Sequence, residues 1–348
     1  MKRLVLIIAL AFAVMTAANA QRRGLDIYFV DTEGGASTLI VTPAGESVLI
    51  DSGNPGARDA GRIHRVATKV AGLKAIDNIV CTHWHLDHYG GHGPLAKLMP
   101  IRRFWDRGHP GESNDDPEHF PTLYAAYKAA CGGKTSTLKA GDVVGLKQNP
   151  GSPAVQLKCI MASSTPIPDR PGAPKNPVAK EFKPQAPDPS DNAKSLGFVL
   201  QFGGWRFLDL GDLTWNMEEK LVEPTNKIGL IDVYQTTHHG LEISNNPVLI
   251  KSVQPRVAIF NNGPHKGGHP DVTRTLRAIP GIQGIWQVHK NLNTTDDMNT
   301  KPEMIANMEE NCQGEFIHVS VAPDAKSYTV QIGEHGTPVR YATRSSTR

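Results

Sequence analysis

Residues 81–91 read CTHWHLDHYGG. His83, His85, Asp87 and His88 fall within six positions, behind an apolar run and ahead of two glycines. Imidazoles and carboxylates bind zinc-like ions, and a loop leaving a rigid strand aims several of them at one place. In this HxHxDH spacing His83 and His85 face one side, while Asp87 and His88 turn toward a second position nearby, which suits two ions sharing a water. The bland alternative is a functionless surface cluster, and the flanking strand and glycines argue against it.

Working outward, Asn78–Cys81 is short and apolar and predicts a buried strand, so the cluster lies on the loop that leaves it. Cys81 itself reads as a small buried side chain rather than a ligand. Gly90 and Gly91 let the loop turn tightly into a helix around Pro94–Met99. Upstream, alternation and β-branched residues predict strands at Leu25–Val30, Ser37–Thr42 and Ser47–Asp51, a hairpin turn at Pro43–Glu46 and a helix over Arg58–Ala71. Phe104–Phe120 is polar and reads as a loop. Downstream, strands are expected at Phe198–Phe202, Arg206–Leu210, Val233–Thr236, Val257–Phe260 and Ile285–Val288. Between the halves, residues 164–192 read STPIPDRPGAPKNPVAKEFKPQAPDPSDN, too proline-rich to join a sheet or helix easily. Such a segment is a linker between two domains or an excursion from one.

One loop does not complete a metal site, so further ligands are expected at strand ends. In WRFLDLGD, residues 205–212, Asp212 follows a strand and a glycine and could bridge two ions through its two oxygens. Taken alone it reads more simply as the N-cap of a helix around Trp215–Leu221. In VYQTTHHG, residues 233–240, either His238 or His239 completes the second position and its neighbour faces the substrate.

A chain of 348 residues can bury a large core, as one big α/β domain or two small ones. Its first twenty residues, MKRLVLIIALAFAVMTAANA, have a basic start, an apolar run from Leu4 to Val14 and the small-residue ending Ala18-Asn19-Ala20. That is the pattern of a signal peptide cleaved before Gln21, and the run is shorter than the roughly 20 residues of a spanning helix. The expected mature protein is secreted or periplasmic, with no transmembrane segment. Loss of Lys2 and Arg3 takes the formal charge from +3 to +1, which gives no general pull toward nucleic acid or an anionic membrane. The four cysteines lack CxxC spacing, and an oxidising compartment permits a pair among Cys131, Cys159 and Cys312. Nothing in the sequence speaks to oligomeric state.

The motifs together resemble the metallo-β-lactamase superfamily, whose hallmark is the HxHxDH loop. More narrowly they are similar to the branch holding the hydrolase domain of the competence DNA-uptake protein and the phosphorylcholine esterases. The resemblance spans roughly Leu25–Leu276: DIYFVDTEGGASTLIVTPAGESVLIDSG, CTHWHLDHYGG, DNAKSLGFVLQFGGWRFLDLGD, TTHHG and GGHP. It implies a four-layer αββα sandwich with metal at one edge between the sheets, and therefore a single domain over residues 21–348 from which residues 164–192 are an excursion. It also implies that Asp212 bridges, that His239 is the last histidine ligand ahead of His238, and that Asp51 orients ligands without binding metal. His269 matches the HP element. His92, His265, His289 and His318 read as surface or core histidines. The chain departs from the fuller pattern in having no histidine from Phe120 to Thr237, where Asn192-Ala193-Lys194-Ser195 stands instead.

The implied activity is hydrolysis by an ion-activated water. His83, His85, Asp87, His88, Asp212 and His239 would hold one or two Zn2+ ions, or Mn2+. Asp87 would orient the water, and His238 would stabilise developing charge or protonate the leaving group. A phosphoester is the expected substrate, with a nucleic-acid backbone disfavoured by the charge balance. A β-lactam, lactone or thioester is the alternative, and a metal-stabilised binding protein without activity is the rival class.

Overall fold

In the computed structural model of the chain, which describes residues 23–109, 111 and 115–344, the first strand already separates two interiors. Leu25, Ile27 and Phe29 enter one apolar cluster, while Tyr28 and the following Val30 enter another. The two-residue period of a strand requires that division. The signal-peptide reading of residues 1–20 lies outside the described residues. Among those described, no helix is long and apolar enough to cross a membrane.

The strands are β1 (Leu25–Phe29), β2 (Thr38–Val41), β3 (Ser47–Ile50), β4 (Ile76–Val80), β5 (Ile101–Asp106), β6 (Ser136–Thr137), β7 (Val143–Val144), β8 (Val155–Ala162), β9 (Thr165–Pro166), β10 (Gly197–Phe202), β11 (Trp205–Asp209), β12 (Val233–Gln235), β13 (Val257–Phe260), β14 (Gly284–His289), β15 (Ile305–Asn307), β16 (Ile317–Val321), β17 (Ser327–Ile332) and β18 (Val339–Ala342). They form two nine-stranded sheets. The first runs β18-β17-β16-β1-β2-β3-β4-β5-β6, and the second runs β15-β14-β13-β12-β11-β10-β8-β7 with β9 beside β8. The helices are α1 (Ala57–Arg65), α2 (Leu86–Tyr89), α3 (His92–Leu98), α4 (Phe120–Cys131), α5 (Trp215–Glu219), α6 (Pro247–Val253) and α7 (Pro270–Arg277).

Three buried clusters occupy the spaces between layers. One lies between the sheets, where Ile27, Ile40 and Val80 share an interior with Phe198, Phe207 and Ile259. A second joins α1, α3 and α4 to the first sheet through Ile63, Leu95, Tyr127 and Ile79. The third joins α6 and α7 to the second sheet through Leu249, Leu276 and Phe260. The order is helix, sheet, sheet, helix, as expected for a metallo-β-lactamase sandwich. From β3 to β6 and from β11 to β15 the pairing is parallel. Ligands gather outside the carboxyl ends of such strands.

The strands expected from sequence form with ends shifted by at most two residues. Two local expectations are corrected. The helix expected over Arg58–Ala71 changes at Val66 into a π-helical turn, Val66–Val70. The loop expected from Phe104 begins later, because β5 continues to Asp106. The proline-rich segment leaves β8 through β9 and rejoins the same sheet at β10, and β8 and β10 pair directly. Along the way Val178 and Phe182 pack on the outer cluster, and Asn176 donates to the Val222 carbonyl at 2.7 Å. Cys81, Cys131, Cys159 and Cys312 are all free.

Candidate metal centre

Two loops of the first sheet meet two of the second at one edge of the sandwich. Asp51 leaves β3 at φ +59°, a left-handed conformation that costs a non-glycine residue roughly 1–2 kcal/mol. Its carboxylate is tied on both oxygens: the Thr82 amide and hydroxyl donate to it at 2.8 and 2.6 Å, and His88 Nδ1 lies at 2.7 Å. Engaging Nδ1 turns His88 Nε2 outward, the orienting role a carboxylate plays behind a metal-ligating histidine. His83 and His85 sit on the loop after β4. Asp87 and His88 sit one step on, in the single turn of α2, so the cluster is part loop and part helix.

Gly90 and Gly91 serve closeness rather than turning. Both have ordinary right-handed helical angles, but a Cβ at Gly90 would lie 2.2 Å from the Leu86 carbonyl oxygen and one at Gly91 2.1 Å from that of Ser52. They let α2 and α3 press against the Ser52–Pro55 loop.

From the second sheet, Asp212 follows β11 through Gly211, at φ +54°. The helix expected near Trp215 begins there with Thr214 in the capping position, so Asp212 is not an N-cap. After β12, His238 and His239 are left-handed in succession, at φ 53° and 54°. Such strain persists only where surroundings over-determine it. Here the Asn245 amide donates to the Thr237 and Leu241 carbonyls at 2.8 and 2.9 Å and accepts from the Tyr234 hydroxyl at 2.8 Å. The Glu218 carboxylate in turn accepts the Asn245 and Asn246 amides at 3.0 and 2.7 Å. His239 donates from Nδ1 to the Asn261 carbonyl at 3.3 Å, which leaves Nε2 for the site.

The result is four converging donors: Asp87, His88, Asp212 and His239. His88 Nε2 lies 3.1 Å from Asp212 Oδ2 and 3.6 Å from Asp87 Oδ2, and His239 Nε2 lies 3.3 and 3.2 Å from the same two oxygens. Ligand distances of about 2.0–2.2 Å in a tetrahedron separate donors by roughly 3.3–3.6 Å. His88 Nε2, His239 Nε2 and Asp212 Oδ1 are buried without a hydrogen-bond partner, an arrangement costly unless something else binds them. The donor set therefore fits one divalent ion.

Burial opposes ionisation of Asp212, but His238, His239 and His88 outweigh it and hold the carboxyl well below the usual range. Partial burial opposes ionisation of Asp87 too, yet His88 and Lys266 hold it well below the usual range. Burial drives His83 well below the ordinary histidine value and His238 down to about 4. Both carboxylates are thus in the ionised, ligating form at neutral pH.

His83 and His85 adjoin this group without entering it. His83 Nε2 is 3.0 Å from His85 Nδ1, and the His83 ring packs on His88 with centroids 4.0 Å apart. Asp115, which the sequence pattern did not single out, lies 3.4 Å from His85 Nε2. His238 stands 3.3 Å from Asp212 Oδ2 and 3.3 Å from the Ser244 hydroxyl. His269 caps α7 by accepting the Asp271 amide at 3.3 Å. The sequence pattern also passed over Lys266, whose ammonium contacts Asp87. Its only signal was a lysine inside the glycine-rich loop after a strand.

A second group, Asp31, His289 and Cys312, lies elsewhere on the same edge. Asp31 is 2.7 Å from His289 Nε2, and Arg62 reaches Asp31 at 2.8 Å and Cys312 at 3.8 Å. The guanidinium already supplies the cation there.

The sequence profile of the metallo-beta-lactamase superfamily matches residues 30–258. The chain belongs to this superfamily. A comparison with curated proteins gives no match. Among solved structures the chain is similar to one described as a metal-dependent hydrolase of Parabacteroides distasonis, at 16% identity over 75% of this chain and 92% of that one, with a TM-score of 0.41. It is similar to the diiron β-hydroxylase CmlA of Streptomyces venezuelae at 15% identity over 76% of this chain but 52% of that one, TM-score 0.44. A structure described as a metallo-beta-lactamase of Thermotoga maritima matches at 14% identity over 56% of this chain and 81% of that one, TM-score 0.33. Where many superfamily members carry a further histidine, this member has Asn192 and Ser195. The Asn192 Oδ1 and Ser195 Oγ atoms are buried without partners, and the Leu196 amide donates to Thr82 at 2.9 Å.

Proposed function

We propose that the protein is an exported metal-dependent hydrolase acting on phosphoesters. The observation that carries this reading is the convergence of Asp87, His88, Asp212 and His239 at ligand spacing, with His88 Nε2, His239 Nε2 and Asp212 Oδ1 buried and otherwise unpaired. A divalent ion held there, Zn2+ or Mn2+, supplies Lewis acidity that activates water and polarises the bond under attack. The remaining work belongs to the chain. Asp51 and the Asn261 carbonyl fix the two histidine rings. Asp87, ionised and partly exposed, accepts a hydrogen bond from the attacking water and orients it. Ser244 holds His238 by Nδ1, so that with the hydroxyl donating, the proton sits on Nε2, 3.3 Å from Asp212 Oδ2, and His238 meets charge developing on the substrate from beside that carboxylate.

The resemblance of the motif set to the competence-type and phosphorylcholine-esterase branch supports a phosphoester, and the near-neutral charge balance favours a small one over a polynucleotide. The leader pattern of residues 1–20 supports export. The test is turnover of bis-p-nitrophenyl phosphate by metal-loaded protein, before and after chelation, beside Asp212→Ala. Chelator-sensitive cleavage lost in the variant is expected. No cleavage by the loaded protein, with hydrolysis of a lactam, lactone or thioester instead, would move the reading to that ester class.

A further inference from the structure

Two carboxylates and two neutral imidazoles cancel the charge of a divalent ion, so the four-donor group carries no net attraction for an anion. The loop after β13 adds the missing charge. Lys266 contacts Asp87 Oδ2, the oxygen that lies 3.2 Å from His239 Nε2. Its side chain is 40% exposed, so the ammonium meets the ligands from the solvent side.

The backbone beneath Lys266 is anchored to the metal-ligand loop itself. The Gly268 amide donates to the His239 carbonyl at 2.9 Å, and a Cβ at Gly267 would lie 2.1 Å from the same oxygen. The Asn291 amide donates to the Gly267 and Gly268 carbonyls, both at 3.0 Å, and the Gly263 amide closes the turn onto the Lys266 carbonyl at 2.9 Å. Only the side chain is left to move. On the adjoining loop, where a Cβ at Gly34 would lie 3.0 Å from Lys266 Cβ, the cations Arg58 and Arg62 are committed to Glu33, Asp59 and Asp31.

An ammonium and a divalent ion competing for one carboxylate oxygen repel each other. With an ion bound, Lys266 would be displaced outward on its four-carbon stem, with three donors to offer. An anionic oxygen drawn to the centre would then meet both cations. We propose that Lys266 is the anion anchor of this site, binding a non-bridging oxygen of the substrate phosphoryl group and selecting negatively charged esters over neutral ones. This rests on the phosphoester reading above.

The test titrates inorganic phosphate calorimetrically into zinc-loaded full-length protein, as wild type, Lys266→Met and Lys266→Arg, with metal content measured on each sample. Lys266→Met should weaken phosphate binding roughly 10- to 100-fold, the loss of a hydrogen bond to a charged group. Lys266→Arg should stay within a few-fold of wild type, and metal content should match in all three. The anchor is overturned if Lys266→Met binds phosphate like wild type, if wild type binds none, or if the variant loses its metal, which would make Lys266 a support for Asp87. Phosphate binding that depends on Lys266, without diester turnover, would retain the anchor and remove the phosphoester-hydrolase reading.

Discussion

Asp51 shows how a residue outside the donor set controls it. Its carboxylate holds Thr82 and His88 together from a strained backbone position. Asparagine tolerates left-handed backbone but presents one oxygen where two are used. Asp51→Asn should weaken metal affinity roughly 10- to 100-fold in chelator competition with circular dichroism unchanged; equal affinity would mean that His88 needs no orienting partner. The HxHxDH residues were legible because four ligand types sit within six positions. Lys266 was not legible, because a lysine in a polar loop is normally a solvated charge. Only its contact with Asp87, 179 residues away, gives it meaning. Asp115 escaped for the same reason.

At the scale of elements, Glu218 joins α5 to the start of α6 and so supports the left-handed His238-His239 turn. Burial raises its carboxyl from 4.5 to about 7, against the pull of the amides that donate to it. A raised acid binds its proton more tightly when folded. Its contribution is therefore full below the unfolded value and is lost as pH rises from about 4.5 through 7. Glu218→Gln should flatten that loss, narrowing the fall in unfolding free energy between pH 5 and pH 8 by on the order of 3 kcal/mol. Denaturant melts at the two pH values check this, and parallel profiles for both proteins would contradict it.

Alternating strands such as β1 and β3 were legible from their period. The glycine pair was misjudged because a sequence shows that glycine is present, not whether its torsion or its lack of Cβ is needed. Asp212 was ambiguous for a related reason: a carboxylate before a helix is a cap or a ligand according to a shift of two residues, and Thr214 took the cap position.

Across the whole molecule, the donors come from both halves of the sandwich. Asp87 and His88 follow β4 of the first sheet, and Asp212 and His239 follow β11 and β12 of the second. An ion shared by them links the sheets where their parallel strands end, so metal that binds only the folded chain adds stability by mass action. At metal a hundredfold above its dissociation constant, chelation should lower the melting temperature by on the order of 4 °C. Asp212→Ala should melt at the same temperature with and without chelator; an undiminished shift in that variant would place the stabilising ion elsewhere. The sandwich was legible through the family resemblance. That resemblance ends before β16–β18, which pair beside β1 and complete the first sheet.

Whether Asp87, His88, Asp212 and His239 hold a divalent ion decides the function proposed for this protein. Elemental analysis of zinc-loaded protein after gel filtration tests it most directly, with Asp212→Ala and His239→Ala beside the wild type. About one tightly retained ion per wild-type chain is expected, with loss of retained metal in each folded variant. A folded wild type that emerges metal-free, or variants that keep its full metal content, would contradict it.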